Sequence, residues 1–102
     1  METFGDIIKT ERENKGLLLR QVASALDIDQ AIVSKFERGE RKPSKEQVEK
    51  FAEFYDLDKN KLITSWLSDQ IANTILYEEN IEELLKVAEE KAFYLKTIHD
   101  AK

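Results

Sequence analysis

Apolar residues recur at three- and four-residue spacing along this chain, the period of a helix with one buried face. Phe4, Ile7 and Ile8 begin the first stripe, with Glu11 next on the same side, and Thr3 and Asp6 stand ahead at the spacing of a capping box. Gly16, just after Lys15, supplies a left-handed stop. Leu19, Val22, Ala23 and Leu26 mark a second helix of barely two turns. Asp27, Ile28 and Asp29 then make a tight connection, with Asp29 as N-cap of a third helix, Gln30 to Arg38, which ends at Gly39. After Pro43, Ser44 and Gln47 form another capping box and open a fourth helix with Val48, Phe51, Ala52 and Tyr55 inward. Asp58 caps a fifth, with Leu62, Ile63, Trp66 and Leu67 predicted on its buried side.

From Ser68 to Lys102 the pattern continues as one long helix or two, through Ile71, Ile75 and Leu76, then Ile81, Leu84, Leu85, Ala88, Ala92, Leu95 and Ile98. The reading is therefore all-α, with residues 1–67 a five-helix domain and residues 68–102 a helical extension. Neither repeats nor a flexible linker separate them, so the tail is expected to be packed rather than trailing.

Composition agrees with helix. The chain has 102 residues, 41% hydrophobic and 36% charged, with three glycines and one proline, too little punctuation for a many-stranded sheet. It lacks cysteine, which excludes disulfides and thiolate metal sites and suits a reducing cytoplasm. No apolar run approaches the roughly 18 residues a membrane span needs. The net charge of −5 is unevenly spread: up to Trp66, 12 cations face 13 acids, whereas from Leu67 onward 4 face 8. Within Gln30 to Lys45 the cations Lys35, Arg38, Arg41, Lys42 and Lys45 outnumber Glu37 and Glu40, so an acidic chain carries a local basic patch.

On the third helix, Val33 and Phe36 point to one side while Gln30, Ala31, Ser34, Lys35 and Arg38 occupy an arc of roughly 140° on the other. That face offers amide, hydroxyl and ammonium groups to base edges and phosphates, in a major groove wide enough to admit a helix. Arg41 and Lys42 follow within reach of backbone phosphates. Two other leads close. Asp56 to Leu67 has acid or amide side chains at the first, third and fifth positions of a calcium loop, but Lys61 replaces the turn glycine and Leu67 the bidentate acid. His99 has no Cys and no second His to build a metal site or a nucleophile with its base. No catalytic centre or cofactor is expected.

Gly5, Ile8, Arg12 and Gly16, then Val22 and Ala23, then Ser34 to Ser44 (SKFERGERKPS) give Phe4 to Leu67 a specific likeness. The stretch resembles the helix-turn-helix domain of Xre/Cro/lambda-repressor-type regulators, in which five helices pack together and the third enters the major groove. The resemblance implies that Gln30, Ala31, Ser34 and Lys35 face bases, that Arg38, Arg41 and Lys42 touch phosphates, and that Glu37 pairs with Arg12 structurally. This chain departs from the pattern at Leu18 and Leu19, where a hydroxyl cap and a phosphate-touching Gln are usual, and at Glu11, where an apolar residue is usual.

Trp66, Ile71, Ile75, Leu84 and Leu95 exceed what a 67-residue domain needs for its core, and favour a dimer interface over self-covering. A dimer would read two half-sites about 34 Å apart on a palindromic duplex. The expectation is a cytoplasmic, homodimeric, sequence-specific regulator that represses or controls its own expression, of restriction-modification or phage type. The alternatives are an antitoxin whose tail masks a toxin, and a protein-interaction module that binds a partner through the acidic tail, with DNA binding incidental.

Overall fold

The computed structural model describes residues 1–101; Lys102, the last residue of the expected extension, lies outside the described residues. These form six helices and no strand: α1 (Phe4–Asn14), α2 (Leu19–Leu26), α3 (Gln30–Glu37), α4 (Lys45–Phe54), α5 (Lys59–Ile75) and α6 (Ile81–Asp100). They fall into two compact units, Met1–Ile71 and the chain from Ala72 onward.

The helix starts follow from the caps in the sequence. The Thr3 hydroxyl accepts from the Asp6 amide at 3.2 Å while the Asp6 carboxylate accepts from the Thr3 amide at 3.1 Å. Ser44 and Gln47 do the same for α4, at 3.1 and 2.9 Å. Asp29 accepts from the Ala31 amide at 2.8 Å, and Asp58 from the Lys61 amide at 3.0 Å. Each bond satisfies an amide that the helix itself leaves without a partner.

The first four helices share one device at their ends. Gly16, Asp27, Gly39 and Asp56 have φ of 65°, 55°, 72° and 54°. The residue after each returns its amide to a carbonyl five positions back: Leu17 to Arg12 at 3.0 Å, Ile28 to Ala23 at 3.0 Å, Glu40 to Lys35 at 2.9 Å and Leu57 to Ala52 at 2.8 Å. Glycine adopts the left-handed turn freely, and aspartate is among the few other residues that tolerate it. The connections Asp27-Ile28-Asp29 and Asp56-Leu57-Asp58 are thus two copies of one solution: a left-handed Asp, an apolar residue packed on the core, and an Asp that caps the next helix.

Phe51 sits at the centre of the first unit, its ring close to perpendicular to those of Phe4 and Phe36 at centroid distances of 5.9 and 6.2 Å. Ile8, Val22, Val33 and Val48 are fully buried around them. α1 approaches the end of α3 closely because residue 5 is glycine: a Cβ there would stand 2.6 Å from the Glu37 carbonyl oxygen and 2.7 Å from that of Phe36.

Two sequence expectations need correction. The fifth helix does not close near Leu67 but continues to Ile75, since no glycine or proline interrupts it. Leu67 is exposed rather than buried, because it lies about 140° around the helix from Leu62 and beyond the edge formed by Ile63. In the second unit, α6 buries none of its side chains. Among the described residues, no helix is long and apolar enough to cross a membrane.

Candidate nucleic-acid interface

The third helix owes its orientation to its buried side. Val33 and Phe36 enter the core, and Glu37, 8% exposed, meets Arg12 of α1 in a two-pronged ion pair at 2.8 and 3.1 Å. Arg12 spends its remaining terminal nitrogen on the Leu17 carbonyl at 3.0 Å. The hydrogen-bonded carboxylate holds the guanidinium above even its ordinary high range. Removing either partner would leave an uncompensated charge indoors, at a cost of roughly 3 kcal/mol or more. Glu37 therefore fixes α3 against α1 and presents no charge to a ligand.

Beside this pair the Tyr55 hydroxyl is buried and has no hydrogen-bond partner among the described residues. Burial first, and then the charge of Glu37, push its ionisation up to about 12. Glu11, where an apolar residue was expected, is half-buried and accepts from Lys15 at 3.1 Å, while the Lys15 ammonium stands 6.0 Å from the Tyr55 ring centre. The unusual acid is balanced within its own helix turn.

The opposite side of α3 is open. Gln30, Ala31, Lys35 and Arg38 are exposed and Ser34 is half-buried. Lys35 makes no ion pair with any described residue, and neither do Arg41 and Lys42, both exposed in the loop before α4. That loop is held at both ends. Its start is fixed by the Glu40 amide bonded back to Lys35, and its end by buried Pro43, whose carbonyl accepts from the Trp66 indole at 3.1 Å.

Arg38 differs from the other cations. Its guanidinium donates twice to one oxygen of Glu40, at 2.8 and 2.9 Å, and once to the Ser34 hydroxyl at 2.7 Å. Arg38 holds the Glu40 carboxyl below the usual carboxylate range. Sequence reasoning counted Glu40 only as a charge to subtract; the signal it missed was an acid two residues after Arg38 across the turn glycine. Gln21 was also missed. Its side-chain oxygen accepts from the Leu18 amide at 2.8 Å, half of a capping box that a leucine cannot reciprocate. Exposed Leu18 thus offers no side-chain hydrogen bond to phosphate.

Of the residues set aside for dimerisation, Trp66 packs against the core of the first unit, besides its bond to Pro43. Ile71, Leu84 and Leu95 are exposed and Ile75 is half-buried. The calcium-like segment is a helix start, with Asp56 in the left-handed turn and Asp58 as cap. No cluster of His, Cys, Asp and Glu able to hold a metal ion occurs among the described residues.

The geometry agrees with what known proteins show. The helix-turn-helix family model matches residues 8–62, more than half of the chain. The crystal structure of the clp gene regulator ClgR from Corynebacterium glutamicum superposes with a TM-score of 0.55 at 20% identity, over 86% of this chain and 88% of that one. A chain of the SinR protein–SinI protein complex gives 0.54 at 19% identity, over 90% and 98%. No curated protein sequence matches. With its third helix bared to solvent on one side and locked to the first on the other, the chain belongs to the helix-turn-helix family, of the Xre and lambda-repressor type: non-enzymatic, DNA-binding regulators of transcription.

Proposed function

We propose that this regulator is a homodimer that binds a palindromic operator in double-stranded DNA and represses or controls its own expression in the cytoplasm. Gln30, Ala31, Ser34 and Lys35 read bases from the major groove, Gln30 being suited to adenine and Lys35 to guanine. Arg38, Arg41 and Lys42 grip phosphates and set the register. The observation that carries this reading is the division of α3 into two faces: its one acid, Glu37, is turned inward onto Arg12, so the outward face is polar and cationic. Two copies are required because one helix of eight residues spans only a few base pairs.

Selection of bound duplexes from a random pool at moderate salt tests this reading. The winners are expected to share a two-fold symmetric site with half-site centres one helical turn apart. A pool that stays random after repeated rounds would refute sequence-specific binding.

A second reading, an antitoxin or protein-interaction module, draws on Phe93 and Tyr94, which stand exposed on α6, and on the similarity to a chain found in a complex of two different proteins. Under that reading the acidic tail binds a protein partner. Copurification of a stoichiometric second protein with the tagged chain, lost on substituting Phe93 and Tyr94 by Ala, would favour it.

A further inference from the structure

The helix α6 is 20 residues long and buries no side chain, yet it carries a continuous apolar stripe. At about 100° per residue, Ile81, Leu84, Ala88, Ala92, Leu95 and Ile98 fall within an arc of roughly 120°. Read from either end, this stripe runs Ile, Leu, Ala, Ala, Leu, Ile. We propose that the stripe is covered by α6 of a second copy lying antiparallel to it, about a two-fold axis at the level of residues 89 and 90. The proposal rests on the dimer reading above and gives that dimer its contact surface and direction.

A two-fold antiparallel pair makes each residue meet its mirror position along the partner, never itself. Reflection about the level between residues 89 and 90 sets Ile81 against Ile98 and Leu84 against Leu95, large against large, twice over. The same register sets Lys91 against Ala88 and Ala92 against Val87. The small residues leave room for the Lys91 stem while its ammonium reaches water. A parallel pair would instead stack Lys91 on Lys91 across the seam.

Charge selects the same direction. Residues 81–90 hold Glu82, Glu83, Glu89 and Glu90 against Lys86, whereas residues 91–100 hold Lys91 and Lys96 against Asp100. The antiparallel order lays the acidic half beside the basic half and opposes the two helix dipoles. The parallel order sets acid beside acid and aligns the dipoles. A partner of different sequence would have no need of large residues at mirror positions, Ile81 with Ile98 and Leu84 with Leu95.

The chain contains no cysteine, so introduced thiols report proximity without background. Leu84→Cys and Leu95→Cys alter side chains that are 41% and 51% exposed, and circular dichroism checks that both variants keep their helices. In the antiparallel pair like positions stand roughly 16 Å apart along the axis. A bis-maleimide too short for that gap is expected to link the two variants when they are co-expressed, and to link neither variant expressed alone. Self-linking of either variant alone would overturn the antiparallel order. If the wild-type chain is a dimer by light scattering but the co-expressed variants do not link, pairing through α6 fails while the dimer stands. A wild-type chain that stays monomeric at high micromolar concentration would refute both.

Discussion

Arg38 is a cation already engaged before any DNA arrives. Its fork is filled by Glu40 and the Ser34 hydroxyl, so a phosphate must displace a carboxylate to use it. Replacing Glu40 by Gln frees the guanidinium and removes a like charge from the phosphate side. Binding to every duplex should tighten, with the logarithmic salt slope steeper by about one, since one more phosphate is neutralised. An unchanged slope in a fluorescence-anisotropy titration would show that Arg38 does not face the backbone. Tyr55 makes a prediction of another kind. Its ionisation is raised to about 12 by burial, so between about pH 10 and pH 12 the unfolded chain releases a proton that the folded chain keeps. Its contribution to stability is full below pH 10 and falls through that window. Tyr55→Phe should lose less stability than the wild type between those limits; equal losses in parallel denaturant titrations would contradict the assignment. At this scale the sequence was partly legible. The facing positions of α3 could be counted from period alone, whereas the Arg38–Glu40 contact depends on how the Gly39 turn folds back, and no spacing rule reports that.

Among the elements, the contact between α1 and α3 decides how the outward face is presented. The sequence marked Gly5 only as part of a family likeness, and the physical reason appears in the fold: two backbone carbonyl oxygens of α3 stand where a Cβ would go. Backbone atoms cannot swing aside as a side chain can. Gly5→Ala gains about 1 kcal/mol of helix propensity but forces the helices apart, and overpacking of this kind costs typically about 1–3 kcal/mol. The urea midpoint should fall, and DNA affinity should drop with it as α3 tilts; a midpoint raised by the propensity gain alone would mean the helices are not in close contact there. The four left-handed turns were legible where glycine marked them, at residues 16 and 39. Asp27 was visible only as a member of a short connection and Asp56 only as the first position of the rejected calcium loop, because Asp also serves as a cap and composition does not say which role it takes. α5 shows the opposite limit. Its apolar residues lie on two faces, Leu62, Ile63 and Trp66 toward the core and Leu67, Ile71 and Ile75 spaced four apart on the other side. Treating Leu67 as the end of the first set hid the continuity of the helix.

For the whole molecule, the two units divide the work in this account. The first positions a short reading helix and a basic loop pinned at both ends. The second carries an apolar stripe that its own unit leaves unburied, and in the proposed dimer the pairing of two such stripes would supply the second half-site. The acidity of the chain does not oppose DNA binding, because most of it lies from Leu67 onward while the segment from Gln30 to Lys45 is basic. Affinity for a duplex carrying the selected site and for a scrambled duplex, measured across a salt series with Lys35→Ala and Arg41→Ala beside the wild type, tests the central claim most directly. The wild type should prefer the selected site by roughly a thousandfold or more. Lys35→Ala should lose about 1–3 kcal/mol of discrimination at one base position, and Arg41→Ala should weaken both duplexes alike and lower the salt slope by about one. Equal affinity for the two duplexes, unaffected by salt, would contradict the account.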